Sequence, residues 1–326
     1  MITLGAPLSL SGDAAADGEA IKNGMDLAVA DLKDRGIDVV VKYQDDQTDP
    51  KQTVSAIRSI GKVDAMVGPT WSFLADAALP VFEQTQTVTI MPANTTEFVQ
   101  GNNKYAFFGS VKNELKQKPL EEFFVNNNIS RVAFIGGQDA WTESHLEPLK
   151  KSAESAGVEI VMQERLAYGS GVSSVPVIIT EMNNKGVDLV FHSLFDHPAV
   201  VKLVNDMSTQ NLNIPIIGSD TINRFIYESD PNAFINAENL YSFESSIDDE
   251  FSKKYKEQYN TPTPSYSDRG YDAVMILVDA IMNKGDKPLS EYLQNDTDYI
   301  GFATTYNFNE QGDIVGGEWL LEPLVK

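Results

Sequence analysis

The run VVVKYQDDQTDPKQTVSAIRSIGKVDAMVGPTWS, residues 39–72, decides the fold. Its two valine-containing ends read as short strands at 38–43 and 63–67. Between them Asp49-Pro50 puts a capping carboxylate before a proline at the first helical position, which predicts a helix over 50–61. Strand, helix and strand make one βαβ unit, whose two strands run parallel.

The same unit repeats outward in both directions. Further strands are predicted at 2–8, 87–91, 131–135, 158–164, 187–191, 214–217 and 239–243. Helices alternate with them at 18–35, 72–84, 113–127, 141–156, 172–185, 197–210 and 248–259, followed by 268–284 and a short one at 288–294. In the first helix Ile21, Met25, Ala28 and Leu32 form one apolar stripe, and Gly36 marks its end. Short apolar strands alternating with amphipathic helices predict an α/β fold with parallel sheets covered on both faces. A chain of 326 residues favours two sheets over one of nine strands. RVAFIGG at 131–137, after the polar turn 126–128, opens a fresh strand, so a boundary falls near residue 115.

Composition excludes several function classes. The net charge of −22, with an isoelectric point near 4.4, argues against nucleic acid or an anionic membrane as partner. No run approaches the 18 apolar residues of a membrane span, so no membrane insertion is expected. The absence of cysteine removes disulfides, thiolate metal sites and a cysteine nucleophile together. MITLGAPLS enters a strand at once, with no basic and apolar leader; an exported protein would have had its signal removed.

Candidate functional residues cluster where strands end. Ser72 follows VGPTW and begins a helix, so it reads either as an N-cap or as a hydroxyl in an anion site at a helix N-terminus. In PANTTEF (92–98), Asn94 and Glu97 have capping-box spacing, and Thr95 offers a hydroxyl at the end of the neighbouring strand. Two such turns on one sheet suit a carboxylate. Asp220, ending NIPIIGSD, is a cap for a helix at 221–228 or an acceptor for an ammonium group. Tyr271 shares a helical stripe with Val274, Val278 and Ile281, which reads as packing. Trp71, Trp141 and Phe195 each sit just past a strand, as packed residues or as aromatics facing a cleft. The catalytic patterns are missing: His145, His192 and His197 lack H-E-x-x-H spacing, and there is no G-x-S-x-G, Walker loop or G-x-G-x-x-G after the first strand. No enzyme, metal or cofactor is expected.

Taken in order, PLSLSG (7–12), NG-x-x-LAV (23–29), DDQTDP (45–50), VGPTWS (67–72), MPANT (91–95), RVAFIGGQDAW (131–141), IPIIGSD (214–220), RGYDAV (269–274) and the closing YNFNEQGDIVGG resemble the branched-chain amino-acid-binding family. These are the type I periplasmic solute-binding proteins of ABC importers, and the resemblance covers most of the chain. It implies two doubly wound parallel-sheet lobes joined by three crossovers, with lobe 1 at 1–115 plus 246–312 and lobe 2 at 116–245 plus 313–326. It implies a ligand cleft between the lobes. Ser72, Thr95 and the backbone of Ala93 match positions that hold the ligand α-carboxylate. Asp220 and Tyr271 match positions facing its amino end, and Trp141 and Phe195 match aromatics that close over it.

Two departures touch the wall of that site. Asp17 stands where relatives place a bulky residue, and Asn94 where they place a small one. Both put a plain aliphatic ligand in question. The implied function is capture of an amino acid or similar zwitterion outside the cytoplasm, by a monomer that closes on a hinge and delivers to a membrane permease. A sensor domain of a signalling receptor with the same fold is the alternative.

Overall fold

The computed structural model describes residues 1–97, 99, 103–167, 169–194, 197–219, 239–244 and 249–324. The chain divides into two compact units, residues 1–112 with 246–317, and residues 113–245 with 318–326. The residues predicted a change of lobe near 115, and the family resemblance implied another at 312; each lies a few residues from these positions. Local bonding explains both differences. Asn113 already bonds to Ser144 of the second unit at 2.8 Å, and Asp313 is held by Thr96 and Lys112 of the first.

The first unit is built on a parallel sheet ordered β2-β1-β3-β4-β5: β1 Ile2–Leu8, β2 Val39–Asp45, β3 Ala65–Val67, β4 Thr89–Met91 and β5 Ala106–Phe108. Its helices are α1 Ala15–Asp34, α2 Pro50–Ile60 and α3 Ser72–Thr85, with α8 Asp249–Tyr259, α9 Ser267–Asn283 and α10 Leu289–Asn295 after the return of the chain. A two-stranded ribbon, β11 Tyr299–Ile300 with β12 Thr305–Tyr306, completes it.

In α2 the Asp49 carboxylate accepts from the amides of Lys51 and Gln52 at 2.9 Å, and Pro50 occupies the first turn. Thr53, Ala56, Ile57 and Ile60 form the buried face. Asp49→Ala should lower stability by about 1 kcal/mol, read from the urea midpoint with an unchanged slope. Helix α1 packs on α9 through glycines: a Cβ on Gly24 would stand 1.7 Å from the Ser267 carbonyl oxygen, and one on Gly270 2.4 Å from that of Ile21. Asp272 of α9 is fully buried and accepts from the amides of Phe302 and Ala303 at 2.9 and 2.8 Å. Burial pushes its carboxyl up to about 7, against the pull of those two amides.

The second unit carries a six-stranded sheet ordered β13-β10-β9-β8-β6-β7. The strands are β6 Arg131–Gly136, β7 Glu159–Arg165, β8 Leu189–Ser193, β9 Ile216–Gly218, β10 Leu240–Glu244 and β13 Leu320–Pro323. All pair in parallel except β13, which runs antiparallel to β10 at the edge, a departure from the expected all-parallel sheet. A 3-10 turn at Asn113–Lys116 leads into α4 Gln117–Asn126, where the sequence predicted one helix. Then follow α5 Ala140–Ala156, α6 Gly171–Lys185 and α7 His197–Thr209. Lys116 is fully buried: its ammonium lies 3.0 Å from His145 Nε2 and 4.2 and 5.0 Å from the ring centres of Trp319 and Phe243. Aromatic faces and an imidazole nitrogen thus replace water around this charge. The segment tied down this way joins the first residues of the unit to its last strand.

Candidate functional site

In the first unit the chain leaves β1 toward β2 on one side and toward β3 on the other, so the strand order switches between β1 and β3. Loops beyond the carboxyl ends of strands at such a switch are where open α/β sheets bind ligands. Here those loops are tied together by a chain of hydrogen bonds. Ser9, just past β1, donates its hydroxyl to Asp46 at 2.7 Å, and its amide donates to the Thr70 hydroxyl at 3.1 Å. The Asn94 side-chain amide donates to the Thr70 carbonyl at 3.1 Å, and the Ser110 amide donates to the Asn94 carbonyl at 3.2 Å. Arg269 then donates to the Ser110 hydroxyl at 2.7 Å.

The loops after β1 and β2 interlock as well. Asp45 accepts from the amides of Leu10, Ser11 and Gln47 and from the Ser11 hydroxyl. Burial opposes ionisation of this carboxyl, but the Ser11 hydroxyl and the three amides outweigh it and hold it below the ordinary range. Asp46, buried in the first unit, is pushed up by that burial, although the Ser9 hydroxyl and the Thr48 amide pull the other way. Gly12 has φ +82°, and a Cβ there would meet the Gln47 carbonyl oxygen at 2.6 Å. The SLSG and DDQT runs are therefore scaffolding for this edge.

Ser72 is the first residue of α3, and Trp71 takes the cap position without a side-chain cap bond. The Ser72 hydroxyl therefore does not cap the helix. The Trp71 carbonyl accepts from Leu74 and Ala75, so the amides of Ser72 and Phe73 stand ahead of the first bonds within the helix and point out of its N-terminus. Trp71 donates its indole N–H to the Asp17 carboxylate at 2.8 Å, which binds the loop after β3 to the start of α1. Asp17 and Trp71 are both half-buried.

Ala93, Asn94 and Thr95 sit in a non-helical turn after β4, with Ala93 half-buried and the other two buried. The capping box expected of Asn94 and Glu97 does not form. Asn94 turns to the Pro69–Thr70 backbone instead, and the Thr95 hydroxyl accepts from the Glu97 amide and donates to the Glu97 carboxylate, both at 3.2 Å. Asp17, Trp71, Ser72, Ala93, Asn94 and Thr95 thus gather on one sheet edge.

Tyr271 is not among them. It is 3% exposed between rings of Phe251 and Phe302, and its hydroxyl donates to Asp31 at 2.6 Å, as a packing residue would. Burial and the adjacent Asp31 carboxylate push its hydroxyl well above the ordinary tyrosine range. In the second unit Trp141, in the first turn of α5 after the Asp139 cap, is 9% exposed with its ring edge-on to His145 at 4.5 Å. Phe195, Asp220 and the expected helix at 221–228 lie outside the described residues.

Sequence reasoning passed over Ser9, Asp46, Thr70 and Ser110, which build the edge. Ser9, Asp46 and Thr70 lie within PLSLSG, DDQTDP and VGPTWS, but nothing in one sequence says which loops a short hydroxyl bridges, and Ser110 lies in no such motif. Among the described residues no cluster of three or more His, Cys, Asp or Glu could hold a metal ion, and no helix is long and apolar enough to cross a membrane.

The chain is 24% identical over 227 residues to the Leu/Ile/Val-binding protein BraC3 of Rhizobium johnstonii, an alignment covering 67% of this chain and 61% of that protein. It spans about three-fifths of the length of the first curated relatives it matches, 61% in each case. Among solved structures, the branched-chain amino acid transporter substrate binding protein LivJ of Streptococcus pneumoniae in complex with isoleucine superposes with a TM-score of 0.82. That match has 20% identity and covers 99% of this chain and 100% of LivJ. An ABC transporter solute binding protein from R. palustris in complex with benzoate gives 0.77 at 19% identity, over 98% and 95% of the two chains. Residues 1–293 match the family described as periplasmic binding protein. The chain is a member of the periplasmic binding protein family, a family of solute-binding proteins, and has its type I fold.

Proposed function

We propose that this protein is the substrate-binding component of an ABC importer, capturing an amino acid or a similar small carboxylate outside the cytoplasm. The observation that carries the reading is the pairing, on adjacent parallel strands, of the open α3 N-terminus at Ser72 with the Pro92–Thr95 turn. The helix dipole and the leading α3 amides favour a negative charge there, and the Ser72 hydroxyl supplies a neutral donor beside it; the Thr95 hydroxyl would join it by turning from the Glu97 carboxylate to the ligand. Isoleucine and benzoate, bound by two proteins of similar fold, have a carboxylate in common. Asp220 would face the ammonium of an amino acid, with Trp141 and Phe195 as covering aromatics. Closure on a hinge would follow as a population shift driven by contacts present only in the closed state, and a permease would receive the closed form.

Asp17 and Asn94 shape the wall in this reading. With its carboxylate turned to the Trp71 indole, Asp17 works as a brace, and the ligand class it tolerates is read from binding rather than from charge alone. Calorimetry on variants tests the reading. Asp220→Ala should weaken amino-acid binding more than tenfold, about 1.4 kcal/mol, and Ser72→Ala should cost about 0.5–1.5 kcal/mol. An unchanged dissociation constant in both variants would remove the carboxylate and ammonium assignments together.

A further inference from the structure

Asp313 lies in the closing YNFNEQGD segment, and nothing in the proposed binding role uses it. It is fully buried, yet its carboxylate is surrounded by donors. One oxygen accepts from the Thr96 amide at 2.9 Å; the other accepts from the Thr96 hydroxyl and stands 3.0 Å from the Lys112 ammonium. The segment that presents it is itself rigid. Asn309 Oδ1 accepts from the amides of Gln311 and Asp313 at 3.0 Å, and the Asn309 amide donates back to the Asp313 carbonyl at 2.9 Å. Gly312, at φ +83°, lets the backbone lie against β5: the Phe108 amide donates to its carbonyl at 2.8 Å, and a Cβ would stand 2.2 Å from the Ala106 carbonyl oxygen. The aspartate is thus fixed before it meets Thr96.

The three residues of this cluster have different places in the chain. Thr96 directly follows Thr95 in the turn after β4. Lys112 is the last residue of the first unit before the chain passes to the second, and Asp313 stands four residues before the passage at Gly317. We infer that Asp313 is a positioning residue. It orients the Ala93–Thr96 turn for its ligand and links that turn to two of the segments through which the units are joined. A shift of the turn on ligand binding would then be felt at Lys112 and in 313–317 without passing through the sheet. The ligand half of this inference rests on the proposed carboxylate role of the turn.

Two measurements separate the halves. Amide hydrogen exchange on the ligand-free protein needs no ligand: Asp313→Ala should speed exchange at Thr96 and Glu97 at least a hundredfold while β1 and α1 keep their protection. Unchanged rates at Thr96, or equal acceleration throughout the first unit, would overturn the positioning role. Binding is then measured with whichever of the twenty L-amino acids stabilises the wild type. Asp313→Ala should weaken it at least tenfold, and Asp313→Asn, which keeps an acceptor for the Thr96 amide, should recover it to within about threefold of wild type. In a double-mutant cycle, Thr96→Val and Asp313→Ala should be non-additive on binding, because one acts through the other. Additive losses with no rescue by asparagine would reduce Asp313 to general stability. Altered exchange at Thr96 in a protein that binds no amino acid would keep the positioning role and discard the ligand reading.

Discussion

Gly24→Ala should destabilise the first unit by about 3 kcal/mol or more, lowering its thermal midpoint by roughly 6–12 °C. The added Cβ would fall 1.7 Å from the Ser267 carbonyl oxygen and 3.0 Å from the Tyr271 amide nitrogen. Both obstacles are backbone, so no rotamer change relieves them, and α1 and α9 must separate along the seam. Separation would also strain the bond from Tyr271 to Asp31 and the ion pair of Asp31 with Lys254 at 2.5 Å. Gly36→Ala is the control, since nothing lies within 4 Å of its Cβ, although its φ of +79° carries a local backbone cost. Equal midpoints for wild type and Gly24→Ala, read by calorimetry or circular dichroism, would contradict this packing.

That seam shows what one sequence discloses. NG-x-x-LAV and RGYDAV stand out as motifs, and both turn out to serve helix packing, with Gly24 and Gly270 admitting the close approach and Asp272 holding the 301–303 loop. Tyr271 belongs to that work too, which its apolar stripe with Val274 and Val278 already suggested. The βαβ repeats were legible because valine-rich runs, the Asp49-Pro50 cap and helical stripes are local signals. β5 was not: Ala106–Phe108 is three residues long and follows the polar run NNK, so no periodicity can develop. The family resemblance placed 313–326 in the second lobe, but the antiparallel direction of β13 was not legible, because LLEP gains its meaning only from pairing with β10.

At the site, the turn bearing Ser72 was legible as a strand-to-helix turn; the turn bearing Thr95 was read the same way, but it is non-helical and Asn94 bonds to the Pro69–Thr70 backbone instead of capping. The bonds that fix them, from Asn94 to Thr70 and from Asp313 to Thr96, span 24 and 217 positions, and no pattern in a single chain announces such pairs.

The second large effect concerns pH. His192 is 1% exposed, the pleat sets it on the face of β8 that carries Val190 and Leu194, and neither ring nitrogen has a hydrogen-bond partner. Burial, with a smaller contribution from His145, pushes its imidazole down to about 3 from an ordinary value of 6.5. Between those values the unfolded chain holds a proton that the folded chain refuses. The stability tied to neutral His192 is therefore complete above about pH 6.5 and is lost as pH falls toward 3, at about 1.4 kcal/mol per pH unit. His192→Leu removes that proton linkage. The wild-type stability minus that of the variant should fall by about 2 kcal/mol between pH 6 and pH 4.5 in urea titrations. The difference matters because Asp272, raised from 3.8 to about 7 by burial, acts oppositely: its contribution is complete below about pH 3.8 and is lost as pH rises from there to about 7. A difference curve that stays flat over the same range would contradict a buried neutral His192.

In the proposed function a carboxylate binds at the N-terminus of α3 beside the Thr95 turn. A thermal-shift panel of the twenty L-amino acids, benzoate, and the amine and amide counterparts of each ligand that responds tests it most directly. A ligand at a hundred times its dissociation constant adds about 2.7 kcal/mol, a shift of roughly 5–10 °C. One or a few carboxylates should raise the midpoint, their decarboxylated or amidated counterparts should not, and Ser72→Ala should reduce the shift. Stabilisation only by solutes that lack a carboxylate, or equally by acid and amide, would contradict it.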